Sequence, residues 1–306
     1  MSRKIEIVEV GPRDGLQNES AILAFDDKIA LIERLEACGV RRIEAVSFVN
    51  PKRVPQMAGA EEIMTALEGG ADRSRIGLVL NMRGWERAVA ADCQEANVVV
   101  CATDGFGIRN QGASTQEQMD TLSAIAARRQ REGGPSLSLT VSVAFGCPFE
   151  GEVPLERVVE IVKLAADVGI GEIALADTIG VGDPWTVRRR IEAAREAAPD
   201  ATLRMHFHDT RNTGLANAYA SIEAGVSVLD ASVGGLGGCP FAPAATGNIA
   251  TEDLVYMLEE SGVRTGLDLD AVLAAARVTE QAVGHELPSS LYRAGGRSVP
   301  RSAAAT

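Results

Sequence analysis

Eight successive units, each a short β-branched run followed by a longer pattern at helical spacing, predict an α/β fold. The expectation is a (β/α)8 TIM barrel with an additional C-terminal helix. Eight is the number of strand–helix units that closes a parallel barrel. No glycine-rich dinucleotide fingerprint follows the first run, which weighs against the alternative, an open doubly wound sheet.

The units run in order. Ile5–Val10 alternates apolar and acidic residues and reads as the first strand. Asp26–Ala37 carries apolar residues at helical spacing and stops at Gly39, a suitable C-cap. Strand Arg42–Phe48 and helix Glu61–Leu67 follow, then Ile76–Leu80 with Arg83–Ala91. Ala96–Cys101 pairs with Thr115–Arg131, and Leu137–Val143 with Leu155–Val168. Glu172–Ala176 precedes Pro184–Ala197, whose proline suits a first helical turn. Thr202–Phe207 precedes Asn212–Ala224. Val228–Ser232 leads through a glycine-rich loop to Glu252–Ser261, and Asp268–Val283 is the extra helix. Residues 1–297 thus form one domain, and the small polar tail 298–306 frays.

Composition excludes several function classes. With 46% hydrophobic and 24% charged residues the 306-residue chain can bury a sizeable core and is not disordered. Lys and Arg number 30 against 42 Asp and Glu, a formal net charge of −12, which disfavours nucleic acid as a partner. A small anionic substrate needs only a local basic patch. No run approaches the roughly 20 apolar residues of a membrane span, and the N-terminal residues show no apolar signal segment. The five scattered cysteines contain no C-x-x-C pair, which points to reduced thiols and a cytoplasmic protein.

In such a barrel the chemistry sits at the C-terminal ends of the strands. His206-Phe207-His208 is the strongest feature there, because residues i and i+2 of a strand share one face. Both imidazoles can then lean onto one ion, or else the pair is packed or at the surface; strand one lies beside strand eight in a closed barrel, so Asp14 can reach the same ion. Two imidazoles, a carboxylate and an amide oxygen suit Mg2+ or Mn2+ better than Zn2+. Arg13 is a candidate to stabilise a developing oxyanion, or else forms a salt bridge at the rim. Glu44 and Asp177 either orient a ligand, move a proton or fill a layer as ion pairs. Cys239 follows four glycines in one loop and either approaches a substrate or is inert. His285 reads as structural or solvated.

Taken together the segments resemble the 3-hydroxy-3-methylglutaryl-CoA lyase family, one branch of the metal-dependent barrel lyases and synthases. The likeness rests on Val-Glu-Val-Gly-Pro-Arg-Asp-Gly-Leu-Gln-Asn-Glu (8–19) and on Ser-Phe-Val-Asn-Pro-Lys (47–52) running to Pro-Gln-Met (55–57). Gly-Cys-Pro-Phe-Glu-Gly (146–151), Asp-Thr-Ile-Gly (177–180) and His-Phe-His-Asp-Thr (206–210) carry it further. Gly-Gly-Cys-Pro (237–240) and Gly-Asn-Ile-Ala-Thr-Glu-Asp (247–253) complete it.

The resemblance implies a divalent metal on Asp14, His206, His208 and Asn248. It implies Arg13 on the enolate of acetyl-CoA, Glu44 behind the metal and Arg13, and Asp177 and His206 in the chemistry. Cys239 would ride a loop that caps the substrate, while Arg13, Gln17, Ser47, Asn110 and Thr178 would touch that substrate. The implied substrate is an acyl-CoA, cleaved to acetyl-CoA and acetoacetate, and the implied assembly a homo-oligomer. Departures at Thr103–Gly112, Phe241 and 243–245 fall in loops that shape the acyl pocket, so a related 3-hydroxyacyl-CoA, or a 4-hydroxy-2-oxo acid cleaved as by an aldolase, is the alternative. The contrasting class is a barrel that binds metal or a partner without catalysis.

Overall fold

The computed structural model describes residues 3–67, 70, 72–238 and 247–296. The strands are β1 (Glu6–Glu9), β2 (Arg42–Ser47), β3 (Ser74–Val79), β4 (Glu95–Cys101), β5 (Ser136–Ser142), β6 (Glu172–Asp177), β7 (Thr202–Phe207) and β8 (Val228–Ala231). Each pairs in parallel with the next, and β1 pairs with β8, so the sheet closes into a barrel in sequence order. The open-sheet alternative is excluded by that last pairing.

The helices that cover the barrel are α1 (Phe25–Ala37), α2 (Ala60–Ala66), α3 (Met82–Ala90), α4 (Asp104–Gln111), α5 (Thr115–Glu132), α6 (Leu155–Asp167), α7 (Pro184–Ala197), α8 (Gly214–Glu223) and α9 (Thr251–Glu260). The extra C-terminal helix is α10 (Leu269–Val283), followed by the short α11 (Ser290–Ala294). Local signals set several boundaries. Ser114 and Glu117 form a reciprocal capping box at the start of α5. Asp183 caps α7 just before its Pro184. Gly39 follows α1 at φ 101°, where a Cβ would lie 2.6 Å from the Gly266 carbonyl oxygen, so only glycine fits there.

Helix α4 was read from sequence as loop. Gly105 and Gly107 give it no apolar stripe and poor helix propensity, so the helical period is absent. Its ends are fixed by tertiary contacts: Asp104 Oδ1 accepts from Thr115 N at 2.8 Å, and Gly112 closes it in the left-handed region. The segment after β1 was likewise read as a loop. It is a π-helical turn, Gly11–Gly15, in which the Arg13, Asp14 and Gly15 amides all donate to the Val10 carbonyl.

Strand alternation divides the interior into two environments. Outward residues such as Leu203, Met205 and Phe207 join the large core beneath the helices. Inside the barrel, Val8, Val10, Ile76 and Val228 form a small separate apolar cluster. A network of charged side chains lies beside it in the interior. Arg42 pairs with Glu6, Glu95 and Glu172, and Arg204 stands 3.2 Å from Glu172 and 3.4 Å from Asp230. These buried ions form the floor beneath the rim residues.

Candidate active site

The π-turn after β1 holds Arg13 and Asp14 at the C-terminal mouth of the barrel. Arg13 Nε donates to Glu44 Oε2 at 2.7 Å, and its Nη1 donates to Asp14 Oδ1 at 2.6 Å. Glu44 reaches it from the neighbouring β2. Asp14 Oδ2 accepts from Asn248 Nδ2 at 2.8 Å and lies 3.9 Å from His206 Nε2 and 3.8 Å from His208 Nε2. The two imidazole centroids are 5.1 Å apart. Among the described residues, Asp14, His206 and His208 are the group whose donor atoms converge closely enough to hold a metal ion.

Asn248 arrives by a bridge rather than a strand: residues 247–250 return across the mouth, with His208 and Asn248 paired antiparallel. Its Nδ2 is also held by the Leu236 carbonyl at 2.9 Å. That leaves Asn248 Oδ1 buried and without a hydrogen-bond partner. An orphaned acceptor beside Asp14 and two imidazoles fits an oxygen ligand to a hard cation.

Electrostatics agree. Burial drives the Asp14 carboxyl upward, but Arg13 beside it, with both imidazoles, outweighs this and holds it well below the usual carboxylate range. Burial likewise acts on Asp230, where Arg204 and His206 reverse it and hold the carboxyl low. Burial keeps Glu44 above its ordinary value despite Arg13. The interior carboxylates Asp14, Glu44, Glu95, Glu172 and Asp230 are paired with three guanidinium groups, those of Arg13, Arg42 and Arg204.

The structure sorts the sequence-derived residues. Arg13, Asp14, Gln17, Glu44, Asn110, Thr178, His206 and His208 line one inner cavity. Thr178 Oγ1 accepts from Val143 N at 2.8 Å, which fixes it in the wall. Asp177 is not among the residues that line that cavity. It shares the outward parity of Ile173 and Leu175, and its carboxyl accepts from Val181 N at 2.9 Å and Gly182 N at 2.8 Å, pinning the β6–α7 loop. Ser47 is also outside the lining. The β2–β3 register shifts between Glu44 and Val46, and the Ser47 hydroxyl ends fully buried with no partner. Cys239 lies outside the described residues, so its lid role stays an expectation. His285 pairs with Glu19 at 2.7 Å, away from the cavity.

Sequence reasoning missed Asp230 and Arg204. His206 Nδ1 contacts Asp230 Oδ2 at 3.1 Å, which fixes the ring with Nε2 toward Asp14. Arg204 lies two residues before His206, one inward layer below it, and is 2% exposed. Both had a signal: an acid in the otherwise apolar Val228–Ala231, and a cation on the inward parity of the histidine pair.

The cavity opens outward into a second cleft at the rim, sharing Val49, Val54, Leu80 and Asn110 with it. Lys52, Arg53, Arg83, Arg87 and Arg109 line this cleft. In a chain of net charge −12 this is a concentrated basic patch. The inner cavity measures about 160 Å³ and the outer cleft about 970 Å³. The pair suits a ligand with a small reacting end and a bulky anionic handle.

A closed parallel barrel with a buried Asp–His–His group and a paired guanidinium at its C-terminal mouth defines a class, the barrel enzymes equipped to work through a metal ion. A family model described as HMGL-like matches residues 4–279, and the chain belongs to that family. It is 44% identical over 301 residues to the (R)-citramalyl-CoA lyase of Chloroflexus aurantiacus, covering 95% of each chain. It is 41% identical to the mitochondrial hydroxymethylglutaryl-CoA lyase of Homo sapiens, covering 96% of this chain and 90% of that one. A solved HMG-CoA lyase from Acinetobacter baumannii, in complex with coenzyme A and 3-methylmalate, superposes with a TM-score of 0.92 at 39% identity, covering 97% and 98% of the two chains. The chain is a carbon–carbon lyase.

Proposed function

We propose that the chain cleaves a 3-hydroxy-3-methyl acyl-CoA carrying a terminal carboxylate, 3-hydroxy-3-methylglutaryl-CoA first, to acetyl-CoA and a keto acid. The observation that carries this is the position of Arg13: its guanidinium is clamped between Glu44 and Asp14, directly beside the candidate metal ligands. Asp14, His206, His208 and Asn248 hold a divalent cation, Mg2+ or Mn2+. When bound, such a cation acidifies a hydroxyl oxygen placed on it.

The chain's residues supply the rest. The basic cleft takes the coenzyme A phosphates, so the acyl group enters the inner cavity from the rim. The apolar wall of Val49, Val54, Leu78, Leu80 and Phe106 accepts its methyl group. Loss of the hydroxyl proton turns the tertiary alcohol into a ketone as the C2–C3 bond breaks. The bonding pair moves onto the thioester carbonyl, and Arg13 meets the enolate oxygen with a preorganised charge. One proton then returns to the enolate carbon, so the step is balanced. Glu44 keeps Arg13 from swinging away, and Asp230 keeps the His206 ring fixed.

A second reading is favoured by the 44% identity to a citramalyl-CoA lyase. Citramalyl-CoA is one methylene shorter, and the same bond cleavage yields acetyl-CoA and pyruvate. The test offers both thioesters with Mg2+ and with Mn2+, and measures acetoacetate, pyruvate and acetyl-CoA. Turnover of the first with loss on chelation supports the main reading, and preference for the second moves the assignment to it. Turnover of neither, or turnover indifferent to chelator, overturns the lyase-with-metal reading.

A further inference from the structure

We propose that Glu9, which touches neither cavity, is the positioning residue that sets Asp14 and Asn248 against each other in the metal site, by tying the turn after β1 to the Val233 stem and to Thr251. This rests on the reading that Asp14, His206, His208 and Asn248 hold the cation.

Glu9 is the last residue of β1 and points away from the barrel interior, yet it is fully buried. Its carboxyl contacts three separate segments. Oε1 accepts from Gly11 N at 2.7 Å, at the start of the π-turn that carries Arg13 and Asp14. The same Oε1 accepts from Val233 N at 2.9 Å, at the stem of the glycine loop that supplies the Leu236 carbonyl to Asn248. Oε2 accepts from Thr251 Oγ1 at 2.7 Å, three residues after Asn248.

These contacts add to backbone bonds between the same segments, Val10 N to Ala231 O, Ser232 N to Ile249 O and Thr251 N to Ser232 O. Gly11 permits the close approach: a Cβ there would lie 2.7 Å from Glu9 Oε1 and 2.9 Å from Val233. Gly234 and Gly235 both adopt left-handed φ and resist fraying poorly on their own. The Gly234 amide is held by a second buried acid, Glu252, at 3.1 Å. Asp14 and Asn248 come from segments 234 residues apart and meet at 2.8 Å. Their mutual position is therefore set by what links the two backbones, and among the side chains one carboxyl does so through both oxygens.

The role requires acceptors at a given reach, not a charge. Burial raises the Glu9 carboxyl to about 7, with Glu252 adding to the rise, so the neutral form is well populated near neutrality. A glutamine in the same pose keeps Oε1 on both amides and offers Nε2–H to the Thr251 hydroxyl, which then accepts.

The experiment measures Mn2+ affinity by titration calorimetry and by electron paramagnetic resonance of free Mn2+, alongside circular dichroism and thermal midpoints. Glu9→Asp shortens the reach by one methylene and is expected to weaken Mn2+ binding by 10–100-fold, the usual scale for losing an outer support of a metal ligand, while the barrel stays folded. Glu9→Gln is expected to restore affinity to within about threefold of the parent. Val187→Ala, a fully buried site in α7 that lines neither cavity, is the control that lowers the midpoint without moving the affinity. Unchanged Mn2+ affinity in folded Glu9→Asp overturns the inference, as does an equal loss in Val187→Ala at matched stability. If Glu9→Asp does not fold, Glu9→Gln decides, since weakened binding there would assign the role to charge and reject positioning by reach. A parent protein that binds no Mn2+ fails the metal reading instead, and the two failures are thereby distinguished.

Discussion

Glu9→Gln carries an unusual pH signature. The carboxyl moves from an ordinary 4.5 to about 7 on folding, because burial penalises the ionised form more than its three hydrogen bonds favour it. The sign is opposite to that of a salt-bridged carboxylate. Here the folded state retains a proton that the unfolded chain loses, so stability is fully present below about pH 4.5 and falls as pH rises through 7. A rise of about 2.5 in pKa, at about 1.36 kcal/mol each, costs about 3 kcal/mol once Glu9 is fully ionised. Glutamine does not titrate. The variant should match the parent near pH 4.5 and exceed it at pH 8, by at most about 3 kcal/mol, or on the order of 5 °C in thermal midpoint. The assay is thermal unfolding of metal-free protein at both pH values, followed by circular dichroism. A stability difference independent of pH would refute the reasoning, because it would mean that Glu9 does not change protonation on folding.

Other outcomes follow from the same geometry. Asp14→Asn and His206→Ala should each abolish Mn2+ binding and turnover while circular dichroism keeps the barrel signature. Arg13→Gln should lower kcat by at least 10²–10³-fold, the scale of losing one preorganised oxyanion donor, with Mn2+ affinity close to the parent. Asp230→Asn loosens the His206 ring and removes one of the carboxylates beside Arg204, so Mn2+ affinity should drop about 10–100-fold. Asp177→Asn should speed hydrogen exchange at Val181 and Gly182 and leave kcat within about threefold; a large loss of kcat would return Asp177 to the reacting groups.

How far the site could be read in advance depended on whether its residues are local. Pro-Arg-Asp after β1 and His-x-His at the end of β7 are short motifs at strand ends, and a parallel barrel brings all strand ends to one mouth. Arg13, Asp14, Glu44, His206 and His208 were therefore legible once eight units were counted. Proximity to a strand end does not give parity: Thr178 lines the cavity, and Asp177, one position before it, does not. Ser47 is placed by a register shift in β2 that alternation does not reveal.

The sequence by itself determined the alternation of strands and helices, the closure number and the residue types at the mouth, since each follows from local periodicity and short spacing. Tertiary structure alone decided the rest. Helix α4 exists because Thr115 and Gly112 fix its ends, not because its glycines favour a helix. The inner charge ledger emerges only when Arg42, Glu95, Glu172, Arg204 and Asp230, from five different strands, share one low-dielectric interior. Glu9 shows the limit most clearly: in sequence it is one acid in an alternating strand, and its contacts with Val233 and Thr251 lie more than 220 residues away. Long-range hydrogen bonds of this kind leave no periodic trace, because their geometry is created by chain closure and not by neighbouring residues.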